Sequence, residues 1–472
     1  MSQTISIDPV TRIEGHATVF LNLAENGSLE SAGLVVNELR GFERILVGME
    51  ADRMPLITSR ICGVCPSAHH LAAVKALDAA AGVEPPPAGK LLRELLYMGH
   101  FIHSHALSLF VLQGPDLVLG LDADPAVRNI VGLVKAVPEV AKKAIRLRSL
   151  GQKINELVGG RGTHPVTAVA GGISFRLDAE KQRILGEWID ECVVLGVELG
   201  ATARDLLLKR VEADPELLEQ WVLPTWYMGT VKDNKVNLYD GQLRVIDDTG
   251  KIQLEFPAAE YRDHLVESAL NWSYMKPTFI RHQGEKHAYR VNPLGRLNVA
   301  AGMETPLADQ EFRAFHQNFG NPCHATIMHI YARIIELIYA CEKAKELITD
   351  PRITGETRVP VQFRPGRAVG HVEAPRGCLF HDYEIDEKGI VRSANLVVAT
   401  QQNYESINQS IAQAAQTHVI GKQDEQLLNA VEFAIRCYDP CLSCATHAVG
   451  RMPLDLVFRR QGEVVRQVRR DG

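Results

Sequence analysis

The sequence predicts a mainly α-helical body with β-hairpins at its periphery, an α+β fold. Long stretches around residues 91–112, 138–158, 178–211 and 324–348 are rich in Leu, Ala, Ile, Glu and Lys, the residues that lose least entropy in a helix. Turn-forming clusters, Asn26-Gly27, Asp247-Asp248-Thr249-Gly250 and Asp386-Glu387-Lys388-Gly389, stand between apolar runs and mark hairpins. Pro85-Pro86-Pro87 and Pro365-Gly366 punctuate the chain without resembling an interdomain linker, and there is no internal repeat, so one body is expected.

Taken in order, Met1 to Pro9 reads as a short strand entering a turn. Ala17, Val19, Leu21 and Leu23 then alternate with Thr18, Phe20 and Asn22, and a partner strand runs from Leu29 to Asn37. In the stretch at 324–348, Ile330, Ile334, Ile338 and Cys341 keep one helical stripe and Met328, Tyr331, Ile335 and Tyr339 a second beside it. Stripes that wide predict a helix buried among other helices. At the end of the chain Leu454, Leu456 and Phe458 alternate before Gln461-Gly462, the pattern of a terminal hairpin.

Composition narrows the function classes. Hydrophobic residues at 46% and charged residues at 23% are ordinary globular values, and 51 basic against 57 acidic side chains give a net charge of −6, which does not recommend nucleic acid as a partner. The amino terminus carries no secretion signal, and no uninterrupted apolar run of about 18 residues is present, so no transmembrane segment and a cytoplasmic location are expected. A partner bearing its own signal could still carry such a subunit across a membrane. Gly159-Gly160-Arg161-Gly162 lacks the spacing of a dinucleotide fingerprint.

The chemistry lies in the cysteines. Nine of them in a long chain argue for reduced thiols rather than a disulfide framework. Cys62 and Cys65 form one C-x-x-C and Cys441 and Cys444 another. Such a turn can aim two soft thiolates at one metal, although a single pair is equally compatible with a redox disulfide or with chance. Most of the chain separates the two pairs, whereas a zinc ribbon keeps them about 15 to 20 residues apart. Pro66 and Ala445 follow the pairs where a c-type haem would need His.

The surroundings of the pairs are distinctive: Arg60-Ile61-Cys62-Gly63-Val64-Cys65-Pro66-Ser67-Ala68-His69 and Asp439-Pro440-Cys441-Leu442-Ser443-Cys444-Ala445-Thr446-His447. Together with Asp8-Pro9-Val10-Thr11-Arg12-Ile13-Glu14-Gly15-His16, Arg40-Gly41-Phe42-Glu43 and Glu373-Ala374-Pro375-Arg376-Gly377, they resemble, in order and over nearly the whole chain, the motifs of the large (catalytic) subunits of nickel–iron hydrogenases. Tyr438 to His447 and Ala394 to Thr400 look most like the cytoplasmic, bidirectional, NAD-reducing branch.

That resemblance implies a nickel–iron hydrogenase large-subunit fold built on a bundle of long buried helices, and reversible heterolytic oxidation of H2 to protons and electrons. It implies nickel on Cys62, Cys65, Cys441 and Cys444, with Cys65 and Cys444 shared with an iron that carries CO and CN ligands. Glu14 matches a proton-relay carboxylate; read alone, Arg12 and Glu14 would be a surface ion pair. The proton from H2 would go to a terminal thiolate, Cys441, or to the guanidine of Arg376. His69, Asp439 and Pro375 would surround the metals without binding them. Glu43, His447 and the Leu396 carbonyl resemble the ligands of a separate magnesium or iron site, and the Glu43 oxygen suits a hard cation. One departure stands out: many family members place an aspartate between two histidines where His103-Ser104-His105 has serine, so no proton role is transferred to Ser104.

The resemblance further divides the chain into a catalytic domain at 1–447 and an extension at 448–472, which a maturation endopeptidase would remove by cutting between His447 and Ala448 once nickel-insertion chaperones had loaded the site. The extension holds six arginines and three acids. No clustered cysteines remain for iron–sulfur relays, so a small iron–sulfur subunit is implied, with diaphorase subunits carrying FMN and binding NAD. Rival readings keep the same centre with a deazaflavin or polysulfide-linked acceptor, or make the chain a regulatory H2 sensor, a class that typically lacks the extension. Retention of all four cysteines speaks against a quinone subunit of a respiratory complex.

Overall fold

A computed structural model describes residues 3–8, 10–25, 28–36, 42–270, 272–419, 424–442, 454–460 and 463–470, with backbone alone for 3–6, 8, 417–419, 424, 454–460 and 463–470. Nine principal helices frame the site: α1 Pro66–Ala81, α2 Pro87–Leu107, α3 Pro138–Gly159, α4 Ala179–Ala213, α5 Asn292–Val299, α6 Pro306–Phe319, α7 Met328–Thr349, α8 Tyr404–Val419 and α9 Asp424–Tyr438. The expected helices at 91–112, 138–158, 178–211 and 324–348 correspond to α2, α3, α4 and α7 within a few residues at each end.

Helix α7 is the axis of the bundle, packed on α2, α4, α5 and α6. Both stripes read from its sequence are buried, from Met328 and Ile330 through Cys341, as a helix apolar nearly all round requires. Helix α2 lies between α7 and α3. Its approach to α3 is close: a Cβ on Gly151 would sit 2.7 Å from the His103 amide nitrogen, so glycine lets the two backbones meet. Helix α2 runs on through a π-helical turn, Ser108–Leu112, into a short helix, Gly114–Leu119. The run Pro87–Leu119 is long and apolar enough to cross a membrane, yet 83% of its most apolar window is buried inside the protein, as in a core helix.

The strands form small sheets. β1 Gln3–Asp8, β2 Thr18–Leu23 and β3 Leu29–Val35 pair antiparallel, confirming the amino-terminal hairpin; its Asn26-Gly27 turn lies outside the described residues. Trp226–Lys232 (β4), Gln242–Ile246 (β5) and Ile252–Phe256 (β6) flank the Asp247 turn. β7 Gly366–Ala374, β8 Gly377–Ile385 and β9 Val391–Val397 make a three-stranded meander with Asp386–Gly389 as its second turn. β10 Leu454–Arg460 and β11 Glu463–Arg470 are the terminal hairpin, and β10 pairs with β1 over six residues.

One hairpin is not peripheral. The whole run of β8 from Gly377 to Tyr383 is buried, and β7 packs on α1 so closely that a Cβ on Gly370 would meet the Ala72 carbonyl oxygen at 2.0 Å. The alanines of α1 supply the flat face this needs. The consequence is that the β7–β8 turn, which holds Pro375 and Arg376, is set into the core beside the first cysteine pair.

Candidate metal centre

Cys62 follows a single 3-10 turn, Ser59–Ile61, in extended backbone, and Cys65 caps the start of α1, where Pro66 takes the first helical position. The tight loop turns the amides of Val64 and Cys65 onto the Cys62 sulfur at 3.3 and 3.2 Å. From the other end of the chain, α9 stops at Asp439, whose φ of +52° reverses the backbone into Pro440 and Cys441. The Cys441 amide is held by Thr400 Oγ1 at 3.0 Å. Cys441 Sγ thereby lies 3.0 Å from Cys62 Sγ and 3.8 Å from Cys65 Sγ. Three of the four expected sulfurs are brought together; Cys444, His447 and Ala448 lie outside the described residues. All eight described cysteines are free thiols.

Burial opposes ionisation of Cys62, but hydrogen bonds from Cys441 and Cys65 and the Cys65 amide overcome it and draw this thiol well below the usual range. Cys441 moves the other way, because its bonds to Cys62 and Cys65, then burial, favour its thiol form. A metal bound to these sulfurs would let all of them ionise. The donor set fits a thiophilic metal.

The amino-terminal motif is bound to the same spot. Glu14 pairs with Cys441 as an isolated parallel bridge, and the Leu442 amide donates to the Glu14 carbonyl at 2.8 Å. Glu14 is buried at 2% exposure, so it is not the surface ion pair that the sequence alone suggested, and Arg12 pairs instead with Asp116 at 2.5 Å. Asp116 also accepts from Arg436 of α9 at 3.0 Å, and Arg436 Nε donates to the Thr11 carbonyl. Thr11 in turn donates to Glu432 from its amide and its hydroxyl, both at 2.9 Å. Burial would raise the Asp116 carboxyl, but Arg12 and Arg436 draw it down to about 2. Nothing in the sequence motifs pointed to Asp116, Glu432 or Arg436.

Arg376 is buried and held from two sides. Its Nε donates to the Asp439 carbonyl at 2.7 Å and its Nη2 to Asp439 Oδ1 at 3.0 Å, while Nη1 reaches Ser104 Oγ at 3.3 Å. Burial disfavours the charge, yet Asp439 and the three cysteines raise the guanidinium above its ordinary value, so it faces the sulfurs as a cation. The turn beneath it is fixed by Arg296, which donates to the Ala374 carbonyl at 2.9 Å and the Pro375 carbonyl at 3.4 Å and is itself gripped by Glu336 and Glu373. Gly377, with φ +128°, has no room for a Cβ, which would stand 2.2 Å from Val291 Cγ2.

His69 lies on α1 one turn after Cys65, within electrostatic reach of Cys62. His100, absent from the sequence motifs, is buried one turn before Ser104, within electrostatic reach of Arg376 and Cys62. The helix Phe42–Leu46 packs on β9, which brings Glu43 near the strand of Leu396. Glu43, Glu267, Asn395, Thr400 and Cys441 line a cavity of about 360 Å³. A second cluster, His371, Glu373 and Cys378, already has its polar atoms engaged with Thr230, Arg296 and one another.

The profile of the nickel-dependent hydrogenases matches residues 40–158 and 188–447. The chain belongs to that family. A further profile, described as HoxL-like, matches residues 4–39. Among curated relatives, a component of the F420-non-reducing hydrogenase vhu of Methanococcus voltae is 44% identical over 87% of this chain and 98% of its own length. The NAD-reducing hydrogenase HoxS subunit beta of Cupriavidus necator is 38% identical over 98% of this chain and 99% of its own. A crystal structure of an NAD+-reducing [NiFe]-hydrogenase in the H2-reduced state superposes with a TM-score of 0.89 at 36% identity, covering 94% of this chain and 99% of that one. The chain is thus the large subunit of a nickel-dependent hydrogenase, an oxidoreductase, with the fold expected from its motifs.

Proposed function

We propose that this hydrogenase subunit oxidises H2 reversibly to two protons and two electrons at a nickel–iron centre held by Cys62, Cys65, Cys441 and Cys444, with Cys65 and Cys444 shared with an iron that bears CO and CN. The observation that carries this reading is the convergence of Cys441 from the far end of the chain onto Cys62 and Cys65, its sulfur 3.0 and 3.8 Å from theirs, beneath a buried guanidinium. When bound, the metal pair would supply the electron-rich site at which H2 is cleaved heterolytically.

The chain's own residues handle the proton. Cys441, a terminal ligand in this reading, is better placed to receive it than Arg376, whose partners Asp439 and the sulfurs keep the guanidinium charged. Glu14, bridged to Cys441 through the backbone, would take the proton onward; a buried carboxylate exchanges protons at modest cost because its surroundings tune its affinity. Arg376 would stay in place as a fixed charge and donor over the sulfurs, locked by Asp439 and Ser104. Glu43, the Leu396 carbonyl and His447 would hold magnesium or a second iron.

Electrons would leave through a small iron–sulfur subunit to FMN-containing diaphorase subunits that reduce NAD in the cytoplasm, a reading supported by the NAD-reducing relative and the NAD+-reducing structure. A second reading, the same centre serving another acceptor, is supported by the relatives named for not reducing F420; that name gives no support to a deazaflavin acceptor. Residues 448–472 would be the removable extension, cut after His447 with chaperones delivering nickel first, which also speaks against a sensor. The pairing of β10 with β1 supports a reading in which the extension would be folded before it is cut.

Purified with its partners, the matured complex should reduce NAD with H2 and show infrared bands of CO and CN. Carbonyl and cyanide bands with no NAD reduction would transfer the reading to another acceptor, and absence of both bands and nickel would end it.

A further inference from the structure

Strand β9 pairs with β8 only as far as Val397, opposite Phe380. Alternate residues of a strand turn their backbone groups to the same edge, so the carbonyls of Cys378 and Arg376 continue that edge with no strand beside them among the described residues. A buried carbonyl needs a donor, and two adjacent side chains supply one each. Gln402 Nε2 donates to the Cys378 carbonyl at 2.6 Å and Asn403 Nδ2 to the Arg376 carbonyl at 3.2 Å. Both amides are fixed from behind: the Val291 amide donates to Asn403 Oδ1 at 2.9 Å and the Tyr289 hydroxyl to Gln402 Oε1 at 3.2 Å. Because a backbone carbonyl only accepts and a backbone N–H only donates, neither side-chain amide can be turned round.

Gln402 and Asn403 close a short helical turn, Ala399–Gln402, whose Thr400 serves the other half of the site, since its Oγ1 accepts from the Cys441 amide at 3.0 Å. Thr400, Gln402 and Asn403 are at most 2% exposed. The Arg376 guanidinium for its part donates to the carbonyl and the carboxylate of Asp439, just before Pro440 and Cys441. These contacts complete a ring. It runs from the Arg376 carbonyl through Asn403 and Thr400 to the Cys441 amide, and back through Asp439 to the Arg376 guanidinium. One bond would let the Arg376 turn swing against the Cys441 loop; two anchors on different elements hold their spacing. Gln402 and Asn403 fall in none of the sequence motifs.

We infer that Thr400, Gln402 and Asn403 act as one jig that sets the Arg376 guanidinium over the Cys441 sulfur. All three are positioning residues: they act through the backbone of the two groups, as the supporting shell of a site locks the side chains that do its chemistry. The consequence for turnover rests on the proposed nickel–iron centre; the fixed spacing of the two backbones does not.

The test has two arms. Amide hydrogen exchange, followed residue by residue in the full chain without metal, reads the jig itself. Thr400→Val keeps the shape and removes the acceptor, so the Cys441 amide should exchange about tenfold faster or more, the scale of one buried hydrogen bond. Thr400→Ser, which keeps the hydroxyl, should restore the slow rate. A Cys441 amide unmoved by Thr400→Val, or equally fast in both variants, would overturn the inference. In the matured complex, Thr400→Val and Asn403→Leu should each lower kcat for H2 oxidation by about tenfold to a hundredfold, the scale of a slight misplacement, with KM and nickel content unchanged. Each should also broaden the infrared carbonyl band, which reports the charge held over the metals. Because either change opens the same ring, the double variant should lose little more than the worse single; fully additive losses would mark independent structural roles and overturn the jig, as would an unchanged band and kcat. Where Asn403→Leu does not fold, the two Thr400 variants decide by the same readouts. If the unsubstituted complex shows no carbonyl band, the nickel–iron reading fails and the exchange rates alone decide the jig.

Discussion

Glu14 and Cys441, 427 positions apart in the sequence, lie side by side as a parallel backbone bridge, with the amide of the next residue, Leu442, donating to the Glu14 carbonyl at 2.8 Å. The proposed proton carrier and the proposed terminal ligand are thus set by one local contact. That contact is held from behind by Thr11, Arg12, Asp116, Glu432 and Arg436.

Glu14→Gln keeps the shape of the side chain and removes its capacity to carry a proton. Exchange of H2 with solvent deuterons should fall by roughly a hundredfold or more, the scale of a lost general acid–base, with nickel content unchanged. Isotope exchange in the matured complex, read beside metal analysis, checks this; unchanged exchange would remove Glu14 from the proton path.

Asp116→Ala leaves Arg12 and Arg436 buried without their shared carboxylate. Breaking a buried pair from one side costs about 3–5 kcal/mol, so the denaturation midpoint should drop sharply and nickel incorporation should decline with it. Equilibrium unfolding in urea tests the size of the loss.

Arg376→Lys retains charge but cannot reproduce the two-sided grip on Asp439 from Nε and Nη2. Turnover should fall by about a hundredfold or more, as for loss of a preorganised donor at a reacting centre, while nickel stays bound. Steady-state H2 oxidation against metal content separates the two.

Stability should decline in mild acid. His70, His103, His105 and His371 are all lowered to about 4, chiefly by burial. The unfolded chain takes up protons below about 6.5, so the folded state binds fewer protons and loses stability as pH falls from about 6.5 toward 4. Denaturant midpoints at pH 7.5, 6, 5 and 4 should descend steadily, and a flat profile would contradict the burial of these rings.

Much of this was legible in the sequence. The long helices were, because α2, α3, α4 and α7 are rich in residues that lose least entropy in a helix and α7 adds two apolar stripes, and the cysteine pairs were, because their flanking residues form contiguous motifs. The Asp116, Arg436 and Glu432 network was not, since its members are isolated charges that acquire meaning only when α9 meets the amino-terminal segment. Arg296 likewise looks like any arginine until Glu336 and Glu373 are seen on either side of it.

The most direct test of the central claim replaces Cys62, Cys65, Cys441 and Cys444 with alanine one at a time, then measures nickel per chain and H2–deuteron exchange in the complex purified with its partners. Each replacement should abolish both nickel binding and exchange. Full nickel occupancy with undiminished exchange in any one of the four would contradict the four-cysteine centre.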